Sequence, residues 1–119
     1  MQHLFLDKEL SQLAKDKGFD DECLASHNSI HGFVLGNEQF TSNQPAPLYQ
    51  QIIDWFREKH KIIIVIDFYN DGNEWLDTRF KIKISEFKHF KTHDSFVLNE
   101  INSYYEALDK AIEEAFKLI

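Results

Sequence analysis

The sequence predicts an α+β fold of two layers, an antiparallel sheet with helices mainly on one face. Two amphipathic segments, 47–59 and 103–119, repeat apolar residues about every 3.6 positions and indicate helices. Between them, the unbroken apolar run 62–66 leads through a turn signal to the strictly alternating segment 76–84, which indicates paired strands. Helices packed on one face of an antiparallel sheet form a stable arrangement of this kind.

The length of 119 residues predicts a single domain, 1–119. In this interpretation residues 1–46 hold an N-terminal helix plus short strands. Residues 47–119 form a unit with the order helix, strand, strand, strand, helix.

The first elements are a helix and two short strands. The helix is predicted over about 8–17, because Asp7 is a suitable N-cap and Gly18 suits the left-handed residue that follows a helix. Two short apolar pieces, Cys23–Ala25 and Phe33–Leu35, predict two strands joined by a turn.

A loop and a second helix follow. Thr41 to Pro47 is polar and rich in turn formers, which predicts a loop. Pro47 suits the first position of a helix, where its missing N–H has no intrahelical acceptor to lose. The apolar stripe that follows predicts a helix over about 47–59.

The hairpin after this helix raises a question of register. In the first strand, Phe68 and the isoleucines at even positions are assigned to the helix-covered face, and in the second strand the same face takes Leu76, Thr78, Phe80, Ile82 and Ile84. A two-residue loop would oppose Phe68 and Trp75, which belong to different faces. An odd-length loop or a bulge is therefore expected. A third strand is predicted at 95–98, with Lys88–Asp94 as its loop.

The last segment predicts the clearest helix. Ser103 and Glu106 have the spacing of a capping box, in which each side chain accepts from a free backbone N–H. A continuous apolar stripe follows, formed by Tyr105, Leu108, Ala111, Ile112, Ala115, Phe116 and Ile119.

Composition narrows the classes of function. A net charge of -7 disfavours nonspecific nucleic-acid binding, which depends on Lys and Arg neutralising phosphates. The single cysteine excludes an internal disulfide, and the sequence shows neither a signal peptide nor a long apolar span. A cytoplasmic protein without membrane contact is expected.

Cys23, His27 and His31 are the weak candidates for chemistry. Their spacing by four would align them on a helix and could bind zinc, or pair a thiol with a base. Turn residues interrupt any helix there, and a structural zinc site normally takes four ligands. We therefore predict no catalytic residue, no bound metal and no cofactor.

Tyr69, Trp75, Ile63 and Val65 are the weak candidates for binding. Exposed aromatic residues often anchor interfaces, although burial at the hairpin end is the favoured reading of Tyr69 and Trp75. Ile63 and Val65 face away from the two strong helices. The N-terminal segment is expected to cover them, with dimerisation as the alternative.

Two resemblances add to this reading. The segments GFDDECLA, APLYQQIIDWFREKH and SYYEALDKAIEEAFKLI resemble a family of small uncharacterised proteins from Bacteroidales genomes and their mobile elements. This resemblance implies an origin in mobile elements but no activity.

In topology alone, the C-terminal part resembles the double-stranded-RNA-binding domain. That family grips phosphates with a lysine cluster at the start of its last helix. Here the corresponding residues are mostly acidic or aromatic, namely Tyr104, Tyr105, Glu106, Asp109 and Lys110. Double-stranded RNA binding is therefore not expected.

Three functions stay open at this point. The first is a non-enzymatic acidic binding or adaptor module that meets a protein partner or associates with itself. The second is a small metal- or Cys/His-dependent enzyme. The third is a divergent nucleic-acid-binding domain that uses Lys81, Lys83, Lys88 and Lys91.

Overall fold

The structure is a computed structural model, and it describes residues 2–36, 44–70, 78–86, 91–93 and 103–119. The chain divides into two compact units, Met1–Trp55 and Phe56–Ile119, which are described separately below. Their boundary lies inside a helix. The prediction of a single domain therefore stays a prediction.

The first unit begins with a short 3-10 helix, Gln2–Leu4, and the helix α1, Lys8–Asp16. Asp7 caps α1, because its Oδ1 accepts from the backbone N–H of Leu10 at 2.8 Å. Gly18, at φ +102°, takes the left-handed position after the helix, and the N–H of Phe19 returns to the carbonyl of Ala14 at 2.9 Å. Both predicted ends of this helix are confirmed.

Three short strands form the sheet of the first unit, in the order β2-β1-β3: β1, Ala25–Asn28; β2, Gly32–Leu35; and β3, Gln44–Ala46. All pairings are antiparallel. The two predicted strands are confirmed, the first of them shifted toward the C-terminus.

The third strand, β3, lies where the sequence predicted a loop. Its pairing with β1 sets Ala46 beside Ala25 and Gln44 beside His27. Pro45 is tolerated because β3 forms an edge of this sheet, where a missing N–H costs little. The loop interpretation of 44–46 was therefore wrong.

The core of this unit gathers residues that are distant in sequence. Phe5, Ala25 and Ala46 form a buried cluster, and the half-buried Phe33 and Leu48 pack against it. Elsewhere in this unit, the rings of Phe19 and Trp55 pack edge to face, with their centroids 5.7 Å apart.

The helix α2, Tyr49–His60, runs from the first unit into the second. Basic residues occupy its last turn, as the helix dipole favours: Arg57, Lys59 and His60. Lys61 has φ +57° and ends the helix in the left-handed conformation, so the next strand begins at once. The predicted helix is confirmed, with its first turn later than expected.

The sheet of the second unit contains β4, Ile62–Asn70; β5, Thr78–Glu86; and β6, Lys91–His93, in the order β4-β5-β6. Ile64 lies opposite Ile84, and Phe68 lies opposite Phe80. The connection 71–77 has an odd length, as predicted from the face assignment. The strand at Lys91–His93 falls inside a predicted loop, and the strand predicted at 95–98 lies outside the described residues.

The last helix, α3, Tyr104–Phe116, packs on β4 and β5. It buries Ala107, Leu108, Ala111, Ile112, Ala115 and Phe116, while Tyr105 is exposed. The ring of Phe56 meets that of Phe116 at 4.9 Å. Ser103 is the N-cap residue, but its side chain makes no capping hydrogen bond, so the predicted capping box was wrong.

The α+β class with antiparallel strands is confirmed, although the described strands form two sheets rather than one. None of the described helices is long and apolar enough to cross a membrane.

Candidate functional site

Cys23, His27 and His31 occupy three different environments around β1. Cys23 precedes the strand, and its thiol lies 3.5 Å from the carbonyl of Asp21. His27 is a buried strand residue, whereas His31 is exposed in the turn between β1 and β2. Among the residues that the structure describes, no three His, Cys, Asp or Glu side chains form a group that could hold a metal ion.

The electrostatics of Cys23 are opposite to those of an activated nucleophile. Burial, followed by the charge of Asp21, raises the pKa of this thiol to about 11. A reactive cysteine needs a lowered pKa, because the thiolate is the attacking species. The Cys23 thiol is therefore protonated at neutral pH.

The His27 ring is committed to the backbone. Its Nε2 lies 2.8 Å from the carbonyl oxygen of Leu6. A carbonyl can only accept, so Nε2 carries the proton and donates it. The Ser11 hydroxyl donates to the same oxygen at 3.3 Å. His27 thus joins β1 to the segment before α1, which gives it a structural role in the first unit.

The remaining candidates belong to the second unit, on or beside β4. Ile63 is half-buried, and Val65 is 40% exposed. The expectation that the N-terminal segment covers these two residues stays a prediction. Tyr69 lies opposite Arg79 in the ladder, and only its backbone is described. Trp75 lies outside the described residues.

The register of β4 and β5 defines a second face of this sheet, opposite the one that α3 covers. Alternation places Ile63, Val65 and Asp67 of β4 on that face, together with Lys81, Lys83 and Ser85 of β5. We call these six residues the outer face. In the ladder Val65 stands opposite Lys83, Asp67 opposite Lys81, and Ile63 opposite Ser85.

The outer face combines apolar residues on β4 with lysines on β5. Val65 and Lys83 are both exposed and directly opposed, so their side chains are neighbours. Lys81 has a carboxylate, Asp67, as its opposite neighbour, whereas Lys83 has an apolar one. The excess positive charge of this face therefore lies beside its exposed apolar residue, in a chain whose net charge is -7.

Of the four lysines proposed from sequence for nucleic acid, Lys81 and Lys83 share the outer face. Lys91 belongs to β6, where only the backbone is described, and Lys88 lies outside the described residues. The sequence pattern assigned the lysines and the apolar residues to different candidate functions. Their combination follows from register alone.

No family model matches the chain, and neither the curated proteins nor the solved structures contain a significant match to it. The chemistry of the outer face is therefore the basis for a functional assignment.

Proposed function

We propose that this chain is a non-enzymatic binding module, and that its outer face docks an acidic protein segment that carries an apolar side chain. The observation that carries the proposal is the exposure of Val65, at 40%, directly opposite Lys83. An exposed valine directly opposite a cation offers a partner one apolar and one charged contact.

The arrangement resembles the common anatomy of protein interfaces. Such interfaces bury an apolar centre and surround it with polar and charged groups that fix orientation. On the outer face, Ile63 and Val65 of β4 supply the apolar contacts, while Lys81 and Lys83 of β5 supply the charge. Positive charge at the edge speeds association with an acidic partner and disfavours a basic one.

A nucleic acid fits this face less well than an acidic protein segment. Affinity for a phosphate backbone grows with the number of phosphates neutralised. The described part of the outer face offers Lys81 and Lys83, and Asp67 opposes the first of them. The exposed apolar side chain of Val65 contributes nothing to a phosphate contact, but it adds apolar area to a protein contact.

A second copy of the chain also fits less well. A two-fold symmetric interface joins the same patch on both copies. Outer face against outer face would bring two sets of Lys81 and Lys83 together, and like charges in an interface oppose association. A partner of opposite charge avoids this cost.

The setting of this function is part of the same proposal. A single cysteine, which cannot form an internal disulfide, supports a reducing compartment such as the cytoplasm. The family resemblance of the three sequence segments supports an origin in mobile elements. An adaptor of this kind would act by binding an acidic partner on its outer face and would catalyse no reaction of its own.

The test is a selection from a library of short peptides displayed on phage, with the intact chain as bait. We expect enriched peptides to carry several Asp or Glu around one large apolar residue. Val65→Ser and Lys83→Glu should each weaken the binding of a selected peptide by about tenfold, roughly 1.4 kcal/mol. Lys59→Glu changes the same charge on α2 and should leave binding unchanged.

Other results would overturn the proposal. Enriched peptides without acidic residues would remove its electrostatic basis. Equal binding by Val65→Ser and the unaltered chain would place the partner elsewhere. Dimers in solution that Val65→Ser dissociates would assign the face to a second copy, and salt-sensitive RNA binding lost in Lys83→Glu would favour the nucleic-acid alternative.

A further inference from the structure

A cavity of about 420 Å³ lies in the first unit, distant in sequence from the outer face. It is bounded by the C-terminal half of α1, by the segment that follows this helix and by β3. A cavity of this volume is within the range that small-molecule ligands occupy. The proposed docking function leaves it without a role.

The floor of the cavity holds a buried polar side chain. Gln44, on β3, is 8% exposed and lines the cavity. Its Nε2 donates to the carbonyl of Ser11 at 3.3 Å and to that of Pro45 at 3.4 Å. Its Oε1 accepts no hydrogen bond from any residue that the structure describes. A buried acceptor of this kind is normally matched by a donor.

The other polar group of the floor is already engaged. Ser11 is 1% exposed, and its hydroxyl donates to the carbonyl of Leu6 at 3.3 Å. Its own carbonyl receives the Gln44 amide. The acceptor that a ligand would meet is therefore Gln44 Oε1, and the ligand must bring an N–H or O–H donor.

The wall and the mouth add the remaining requirements. Phe19 and Pro45 supply apolar wall, and the Phe19 ring is held edge to face against Trp55. Asp20 and Asp21 are exposed carboxylates of the lining, and Lys15 is its one described cation. Lys15 forms no ion pair with either aspartate, so both carboxylates can receive a cationic donor. The lining as a whole favours positive charge.

We propose that this cavity binds a small organic cation, a primary ammonium group on an apolar stem. The ammonium donates to Gln44 Oε1 and lies in the field of Asp20 and Asp21, while the stem packs on Phe19 and Pro45. A free alkylamine and the lysine side chain of another protein share this chemistry. The inference concerns a different site and does not rest on the proposed docking function.

The test uses three probes with the same stem and different charge: pentylamine, pentanol and pentanoate. Binding to the intact chain is followed by chemical-shift changes at the cavity residues in NMR titrations. We expect pentylamine to bind in the millimolar range typical of so small a ligand, about tenfold tighter than pentanol, and pentanoate not to bind. A blocked lysine amide is titrated in parallel as a mimic of a protein side chain. Tighter binding of this compound than of pentylamine indicates a lysine side chain as the ligand, and the reverse order indicates a free amine.

Variants at the mouth test the site without touching its buried floor. Asp20→Asn with Asp21→Asn should weaken pentylamine binding several-fold, and Lys15→Met should strengthen it by a similar factor. Glu9→Gln removes one carboxylate charge from the first turn of α1, outside the cavity, and should leave pentylamine binding unchanged. A general loss of stability would weaken pentylamine binding in both mouth variants, so opposite effects report the charge at the mouth.

Gln44→Leu tests the floor. It removes the acceptor and should reduce the preference for pentylamine over pentanol to about twofold, even where both bind more weakly. The proposal is overturned if pentanol or pentanoate binds as tightly as pentylamine. It is also overturned if no probe shifts the cavity residues, or if Lys15→Met weakens binding.

Discussion

Adjacent residues of β4 provide the most direct test of the two faces of its sheet. Ile64 is 8% exposed beneath α3, whereas Val65 is 40% exposed on the outer face. Alanine at each position removes aliphatic carbons from the same strand. Any loss of strand propensity is similar for the two variants, so the difference between them reports burial.

The magnitudes follow from the exposed fractions. Ile64→Ala deletes three carbon groups that are nearly all buried, at about 0.8 kcal/mol each, and leaves a cavity, for a total of about 2 to 4 kcal/mol. Val65→Ala deletes two such groups that are about three-fifths buried, which gives roughly 1 kcal/mol. The free energies of unfolding of the two variants should therefore differ by at least about 1 kcal/mol.

Urea unfolding followed by circular dichroism measures both values. The slope of the unfolding free energy against urea concentration should be the same in the two variants and the unaltered chain, so that their unfolding midpoints can be compared. A loss for Val65→Ala equal to that for Ile64→Ala would refute the exposure of Val65. It would also remove the observation on which the docking proposal depends.

Three further predictions concern the first unit. Cys23 should react with iodoacetamide at pH 8 about a hundredfold more slowly in the native chain than in urea. The reason is that a pKa of about 11 in place of 9.0 lowers the thiolate fraction by that factor. Equal rates would show that the pKa of this thiol is not raised in the native chain. Asp7→Ala should cost about 1 kcal/mol of unfolding free energy through loss of the cap on Leu10, and Asp7→Asn should cost less. His27→Ala should cost about 1 to 3 kcal/mol, because it removes a buried donor to the Leu6 carbonyl. His27→Gln can return a donor at a similar place, and failure of this variant to recover stability would contradict the hydrogen-bond explanation.

Periodicity predicted the parts of this fold in which one face is buried. The register of β4 and β5 was such a case, since pairing Phe68 with Trp75 would have mixed the two faces, and an odd connection, one of the two expected solutions, avoids this. The ends of α1 were equally predictable, because Asp7 and Gly18 act through local backbone geometry.

Elements that depend on distant partners were not predictable. Nothing local marks Gln44–Ala46 as a strand, since Pro45 argues against one, and the strand exists because β1 pairs with it. The same pairing buries Gln44, so the polar floor of the cavity has no signal in the sequence. The spacing of Ser103 and Glu106 matches a capping box, but the Ser103 side chain makes no capping hydrogen bond, because spacing alone does not fix the side-chain conformation.

For a similar reason, the sequence predicted which residues share the outer face but not which of them are exposed. Ile63 and Val65 could be assigned to the face away from the helices by alternation. That Val65 stays exposed, and that Lys83 stands beside it, required the ladder between β4 and β5. The environment of Cys23 likewise depends on tertiary burial, which raises the pKa of its thiol and which sequence spacing could not indicate.

The position of α2 has a consequence for how such a chain can evolve. The unit boundary falls between Trp55 and Phe56, inside one continuous helix. Recombination at this boundary would leave each product with about half of a helix, which is too short to form in isolation and would depend on packing within its own unit. The two units are therefore expected to be inherited together, and a homologue that carries only one of them should have replaced the missing half-helix with another of its own.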